Sequence, residues 1–254
     1  MLAYLEQLVP LWEMRYSTQR ALPAGKQQHQ LLRPVYWLGN WQFACLGYYE
    51  PPRRVWDCAV AAEPLPTVLQ HLVLPIERQI RRTVPPAHIP RGWHLNTCLV
   101  NFYGARQHDG QWQDVARVGE HRDFEPGPVA SLSLGERALF QFVARGRDMA
   151  PVRSQWLEDS SLLTFAGPYW KDDLLHRVTR VEQKRAQLLG PAIPGFRTRR
   201  INLTLRYVPV EHVCPVAELA PRAQRDIAEY VRTLAKHSSH FAAAARTLPP
   251  QHHG

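Results

Sequence analysis

Residues 98–208 predict a mainly β fold, a sandwich or barrel of short strands, with helices flanking it on both sides. Six short segments alternate or run apolar between turn signals: Cys98–Tyr103, Val129–Leu134, Ala138–Val143, Ser161–Phe165, His176–Val181 and Ile201–Val208. Helical periodicity is confined to the flanks, at Leu69, Leu72, Val73, Ile76 and Ile80 and again at Ile227, Val231 and Leu234. The chain carries no GxGxxG or GxxxxGK[ST] pattern and no internal repeat, so nothing favours a parallel nucleotide-binding sheet.

In chain order, residues 1 to about 20 are compatible with a helix, and Ala21–Gln30 is polar and loop-like. Leu31–Tyr49 is rich in aromatics and predicts one or two strands turning near Gly39-Asn40, closed by Pro51-Pro52. A helix follows from Pro66 to about Thr83, with Pro75 arguing for a kink or restart. Gln107–Val118 reads as an exposed loop inserted just before His121-Arg122-Asp123, and a helical tail starts after Val210. These features divide the chain into residues 1–95, 96–208 and 209–254.

The 254 residues are 45% hydrophobic, enough for a full core, and their net charge of +9 suits a polyanionic partner such as nucleic acid. Arginines gather at Arg78–Arg82 and Arg197–Arg200. Cys45, Cys58, Cys98 and Cys214 form no CxxC pair and predict reduced thiols in the cytoplasm. Met1–Trp12 lacks the basic start and cleavage pattern of a signal peptide, and no apolar run is long enough to span a bilayer. His237, His240, His252 and His253 in the tail read as solvated. Oligomeric state has no signature.

Three segments can carry chemistry. In His121-Arg122-Asp123, residues two apart share a strand face, so an imidazole and a carboxylate can converge on one ion. Twelve histidines and nine aspartates would produce such a tripeptide about 0.4 times by chance, so its meaning depends on its company. His176 supplies the second imidazole. Two histidines and one carboxylate leave open positions on non-haem iron, and zinc would accept the same set, though no HExxH helix offers the base a zinc hydrolase needs. In Arg200–Arg206, the alternate residues Arg200, Asn202, Thr204 and Arg206 form a polar face suited to a carboxylate, opposite Ile201, Leu203 and Leu205. Asn101 and Tyr103 share a face in the same way.

The order Asn101-x-Tyr103, His121-x-Asp123, Ser131-Leu132-Ser133-Leu134-Gly135, Phe140-Gln141-Phe142, His176 and Arg200-x-Asn202-Leu203-Thr204-x-Arg206 resembles the AlkB family of Fe(II)- and 2-oxoglutarate-dependent dioxygenases. The resemblance covers about residues 96–208 and implies a double-stranded β-helix, or jelly-roll, core. It also implies Fe(II) held by His121, Asp123 and His176, with O2 and 2-oxoglutarate as co-substrates. Arg200, Asn101, Tyr103 and Asn202 would bind 2-oxoglutarate, with Ser133 nearby and Arg206 between the metal carboxylate and the substrate-recognition residues.

The implied activity is oxidative N-demethylation of alkylated nucleobases in DNA or RNA, a DNA-repair chemistry releasing succinate, CO2 and formaldehyde. Leu38-Gly39-Asn40-Trp41 and Gly47-Tyr48 resemble the family's nucleotide-covering flap, which would make Trp41 and Tyr48 substrate contacts. Glu125 departs from the pattern, standing where relatives place an aspartate that reads the exocyclic amine. Two other readings stay open: an AlkB-like hydroxylase or demethylase of a protein or small molecule, and a non-catalytic nucleic-acid-binding module.

Overall fold

The computed structural model describes residues 1–16, 28–41, 59–146, 148–181 and 188–250. Two antiparallel sheets face one another. The larger runs in the order Leu162–Phe165, Val129–Gly135, Phe196–Arg206, Thr97–His108 and Val35–Leu38, with Gln111–Asp114 paired to the far end of Thr97–His108. The smaller runs Pro151–Leu157, Ala138–Val143, Leu175–Val181 and Val118–His121. Between His121 and Phe196 the chain passes repeatedly from one sheet to the other, which is the jelly-roll expected from the motif order.

The two faces of Phe196–Arg206 explain where the site forms. Ile201, Leu203 and Leu205 are wholly buried in the outer core, each stabilising the fold by about 1.5–3 kcal/mol. That core is completed by Leu69, Val73, Ile76 and Ile80 of the Thr67–Thr83 helix, by Leu5, Leu8 and Leu11, and by Ile227, Val231 and Leu234 of the C-terminal helix Pro221–Ala235. Segments from all three parts of the chain thus share one hydrophobic cluster. The opposite face, Arg200, Asn202, Thr204 and Arg206, turns toward the smaller sheet. A second cluster containing Tyr103, Val129 and Phe165 from one sheet and Phe140, Phe142 and Val178 from the other packs between them.

Several elements differ from the expectations. Gln107–Val118 contains a hairpin in which His108 pairs with Gln111 and Gln107 with Trp112. Its turn is Asp109-Gly110, with φ of 49° and 76°, the left-handed pair that tight hairpins demand. The Thr67–Thr83 helix continues through Pro75, which is exposed, so the carbonyl freed by the missing N–H faces water. At the N-terminus the helix spans only Leu2–Leu5, and the strand Met14–Tyr16, within the expected helix, pairs with Gln28–Gln30, within the expected loop. Val35–Leu38 and Asn40–Trp41 do not pair with each other: the first joins Thr97–His108, the second Ala59–Ala61. Gly39, at φ 78°, makes that switch, and a Cβ there would meet the Asn96 carbonyl oxygen at 1.9 Å. No helix among the described residues is long and apolar enough to cross a membrane.

Candidate active site

His121 and His176 are directly opposed in register on adjacent strands of the smaller sheet, their ring centroids 4.3 Å apart. The strand ends at His121, so Asp123 lies in the following coil rather than on the strand. It still converges: ligand atoms of His121, Asp123 and His176 all lie within 4.8 Å of one another. His121 Nδ1 is 2.8 Å from the Gly119 carbonyl oxygen, which selects the tautomer with the proton on Nδ1 and leaves the Nε2 lone pair for a metal. Phe140 stacks on the His176 ring at 5.5 Å and Phe165 meets its edge at 5.4 Å, fixing the second imidazole.

Electrostatics keep this set in its ligating state. Burial pushes the His176 pKa down to about 3, and burial also lowers that of His121, so both rings are neutral near pH 7. Burial alone would raise the pKa of Asp123. The charge of Arg206 is the largest influence opposing burial, and it holds the carboxyl well below the usual range. Arg206 Nη2 donates to Asp123 Oδ1 at 2.6 Å, and its Nε lies 3.6 Å from Glu125 Oε1. Lys171, buried in the π-helical turn Tyr169–Asp173, donates from Nζ to the carbonyls of Glu125, at 2.5 Å, and Gly127, at 2.8 Å.

The larger sheet supplies the second wall. Asn202 pairs in register with both Asn101 and Ser133, and Arg200 with both Tyr103 and Gly135. Arg200 is 1% exposed; its Nη2 donates to Ser133 Oγ at 2.9 Å, and its guanidinium carbon sits 5.8 Å from the Tyr103 ring centroid. Desolvation lowers its pKa to about 10, so it remains a cation at neutral pH. Asn202 Nδ2 donates to Ser131 Oγ at 2.8 Å, and Thr204 Oγ1 to Asn202 Oδ1 at 2.8 Å. Arg33 Nε donates to Asn101 Oδ1 at 2.7 Å.

The three ligands, Glu125 and five of the expected co-substrate residues, Asn101, Tyr103, Arg200, Asn202 and Arg206, line one cleft of about 280 Å³. Ser133 does not line it and acts instead on Arg200. Trp41 is not brought to the cleft. It is 1% exposed, its indole N–H donates to Glu13 Oε1 at 2.9 Å, and it packs edge-on against Tyr230 and Phe241; this places Trp41 in the core, where it cannot stack on a base. Tyr48 lies outside the described residues. The Arg197–Arg200 group is largely committed inward, since Arg199 pairs with Glu136 at 2.8 Å and Asp114 at 3.0 Å and Arg200 is buried. Sequence reasoning missed Arg33, Lys171 and Phe124 as cleft or loop residues. Of these only Phe124, adjacent to Asp123, carried a usable signal.

Two buried atoms test the fit of the implied reactants. Asp123 Oδ2 and Arg200 Nε have no hydrogen-bond partner among the described residues, a costly condition for a carboxylate oxygen and a guanidinium N–H. A divalent ion satisfies the first, and a dicarboxylate satisfies the second, through the planar fork that arginine presents. Two neutral imidazoles and one carboxylate form the donor set of an open Fe(II) site.

Comparison with known proteins places residues 1–206 under the family model described as the 2OG-Fe(II) oxygenase superfamily. Among solved structures, OsALKBH1 matches over 73% of this chain and 83% of its own, at 21% identity and a TM-score of 0.44. YcfD, a ribosomal oxygenase from Escherichia coli solved with cobalt and succinic acid, matches over 70% of this chain at 14% identity and a TM-score of 0.27. The chain spans 48% of its length. No curated protein matches.

Proposed function

Because the chain belongs to the 2OG-Fe(II) oxygenase superfamily, an enzyme group that uses Fe(II), 2-oxoglutarate and O2, we propose that it is an AlkB-like enzyme that oxidatively N-demethylates alkylated bases of single- or double-stranded nucleic acid. His121, Asp123 and His176 would hold Fe(II), which would supply the activation of dioxygen coupled to oxidative decarboxylation of 2-oxoglutarate. The protein's part is positioning. Arg200, braced by Ser133, takes one carboxylate of 2-oxoglutarate. Asn202 and Asn101 flank it on neighbouring strands. Phe140, Phe165 and Val178 form an apolar wall beside His176 that limits water at the reacting centre.

The observation that carries the nucleobase reading is the placement of Phe124 and Glu125 directly after Asp123, both in the cleft. Phe124 is 44% exposed, with the Arg122 guanidinium 4.8 Å from its ring centroid, and offers at the mouth the π-face that Trp41 does not. Stacking of one base there contributes about 1–3 kcal/mol. Glu125, deeper and tied by Arg206, offers a carboxylate acceptor to an exocyclic amine of a base extruded from its stack. The net charge of +9 supports a polyanionic substrate, and the buried free thiol of Cys98 supports residence in the cytoplasm. Fluorescence anisotropy with a 1-methyladenine-containing single-stranded oligonucleotide tests the substrate class. Affinity that falls steeply between 50 and 200 mM salt, as expected from phosphate contacts, supports it; absent or salt-independent binding contradicts it.

A further inference from the structure

Arg33 precedes the edge strand Val35–Leu38, which pairs with Thr97–His108 so that Val35 stands opposite Asn101. Its guanidinium reaches over that neighbouring strand. Nε donates to Asn101 Oδ1 at 2.7 Å, and the guanidinium carbon lies 5.4 Å from the Tyr103 ring centroid. Arg200 lies 5.8 Å from the same ring, on the strand that flanks Tyr103 on its other side. Tyr103 is thus bracketed by two arginines, one buried and one half-buried at the cleft.

We propose that Arg33 is a co-substrate-positioning residue that acts through Asn101. An amide side chain has one acceptor end and one donor end, and a cation on the oxygen decides which end faces the ligand. With Oδ1 committed to Arg33, Asn101 Nδ2 keeps among the described residues only a long contact, 3.4 Å to the Leu99 carbonyl, so its donor end is available to a carboxylate of 2-oxoglutarate. Without Arg33 the amide can turn its oxygen toward that carboxylate, a repulsive contact in place of an attractive one. The positive charge of Arg33 adds to that of Arg200 in receiving a dianion. The proposal depends on the superfamily's use of 2-oxoglutarate, not on which substrate is oxidised.

Calorimetric titration of 2-oxoglutarate into the Mn(II)-loaded full chain tests it without turnover. Arg33→Met is expected to weaken 2-oxoglutarate about tenfold, or 1.4 kcal/mol. Arg33→Lys, whose ammonium can still donate to the amide oxygen, is expected to recover part of that loss. In an Asn101→Ala background, Arg33→Met is expected to add less than twofold, because a positioning residue has nothing left to position. Mn(II) titration without 2-oxoglutarate separates loss of metal from loss of co-substrate. Binding of 2-oxoglutarate by Arg33→Met within twofold of wild type, or a full tenfold loss on top of Asn101→Ala, overturns the proposal. If Arg33→Met does not fold, Arg33→Leu, which also lacks a donor, carries the test, a threefold or greater loss supporting it and unchanged binding overturning it. Failure of the oligonucleotide assay leaves these outcomes unaffected.

Discussion

Arg206 is the hinge of the charge arrangement: its guanidinium bonds Asp123 at 2.6 Å and reaches Glu125 at 3.6 Å, so one cation orders the expected metal carboxylate and the expected substrate-reading carboxylate together. Both Arg206 and Asp123 are buried. Removing one partner of such a pair strands the other charge in a poorly solvated site.

Arg206→Met is therefore expected to destabilise the metal-free protein by about 3–5 kcal/mol. Urea denaturation of the apo-protein measures this, and a change below about 1 kcal/mol would show that the pair is solvated and contributes little.

The histidine pair predicts an acid-labile apo-protein. An unfolded histidine titrates near pH 6.5, whereas His176 in the fold stays neutral down to about 3, so between those values the unfolded state binds more protons. Stability is expected to fall as pH drops through this window, by up to about 1.4 kcal/mol per pH unit for each such histidine. His121, shifted down by burial, acts in the same direction. Asp123, held below its unfolded value, contributes stability that is also lost toward low pH. Denaturation at a series of pH values checks the slope, and His176→Asn is expected to flatten it above pH 5.

Ser133 was expected beside the co-substrate and is found behind Arg200. Ser133→Ala removes the acceptor of a buried guanidinium N–H and is expected to cost about 1–3 kcal/mol, divided between fold stability and 2-oxoglutarate affinity. Thermal melts with and without 2-oxoglutarate measure both parts. A variant identical to wild type in both would remove Ser133 from the account.

Lys171 ties the carbonyls of Glu125 and Gly127 to the turn that precedes the His176 strand. Lys171→Met is expected to raise hydrogen exchange across residues 124–128 at least tenfold relative to the Thr67–Thr83 helix. Equal protection in variant and wild type would show that the loop is held by other contacts.

The jelly-roll and the cleft were largely legible because alternation on the Phe196–Arg206 and Thr97–His108 strands assigns a face to each residue, and the buried outer face leaves the inner one for chemistry. What escaped depends on long-range packing. Trp41 sits in an aromatic-rich strand whether it faces a base or the core, and only the docking of Tyr230 and Phe241, some 190 residues later in the chain, decides between them. Arg33 and Lys171 are isolated basic residues in sequence, and their roles arise from strand adjacency and a π-helical turn. The Asp109-Gly110 turn carried a local signal that the reading of Gln107–Val118 as a loop passed over.

The most direct test of the central claim is mass spectrometry of a single-stranded oligonucleotide carrying 1-methyladenine or 3-methylcytosine, incubated with the protein, Fe(II), ascorbate, 2-oxoglutarate and air. The expected result is a product lighter by one methylene, with succinate and formaldehyde formed in equal amounts, and no product with Asp123→Ala. Oligonucleotides of unchanged mass across the panel, with or without succinate, would contradict the assignment of a methylated base as substrate.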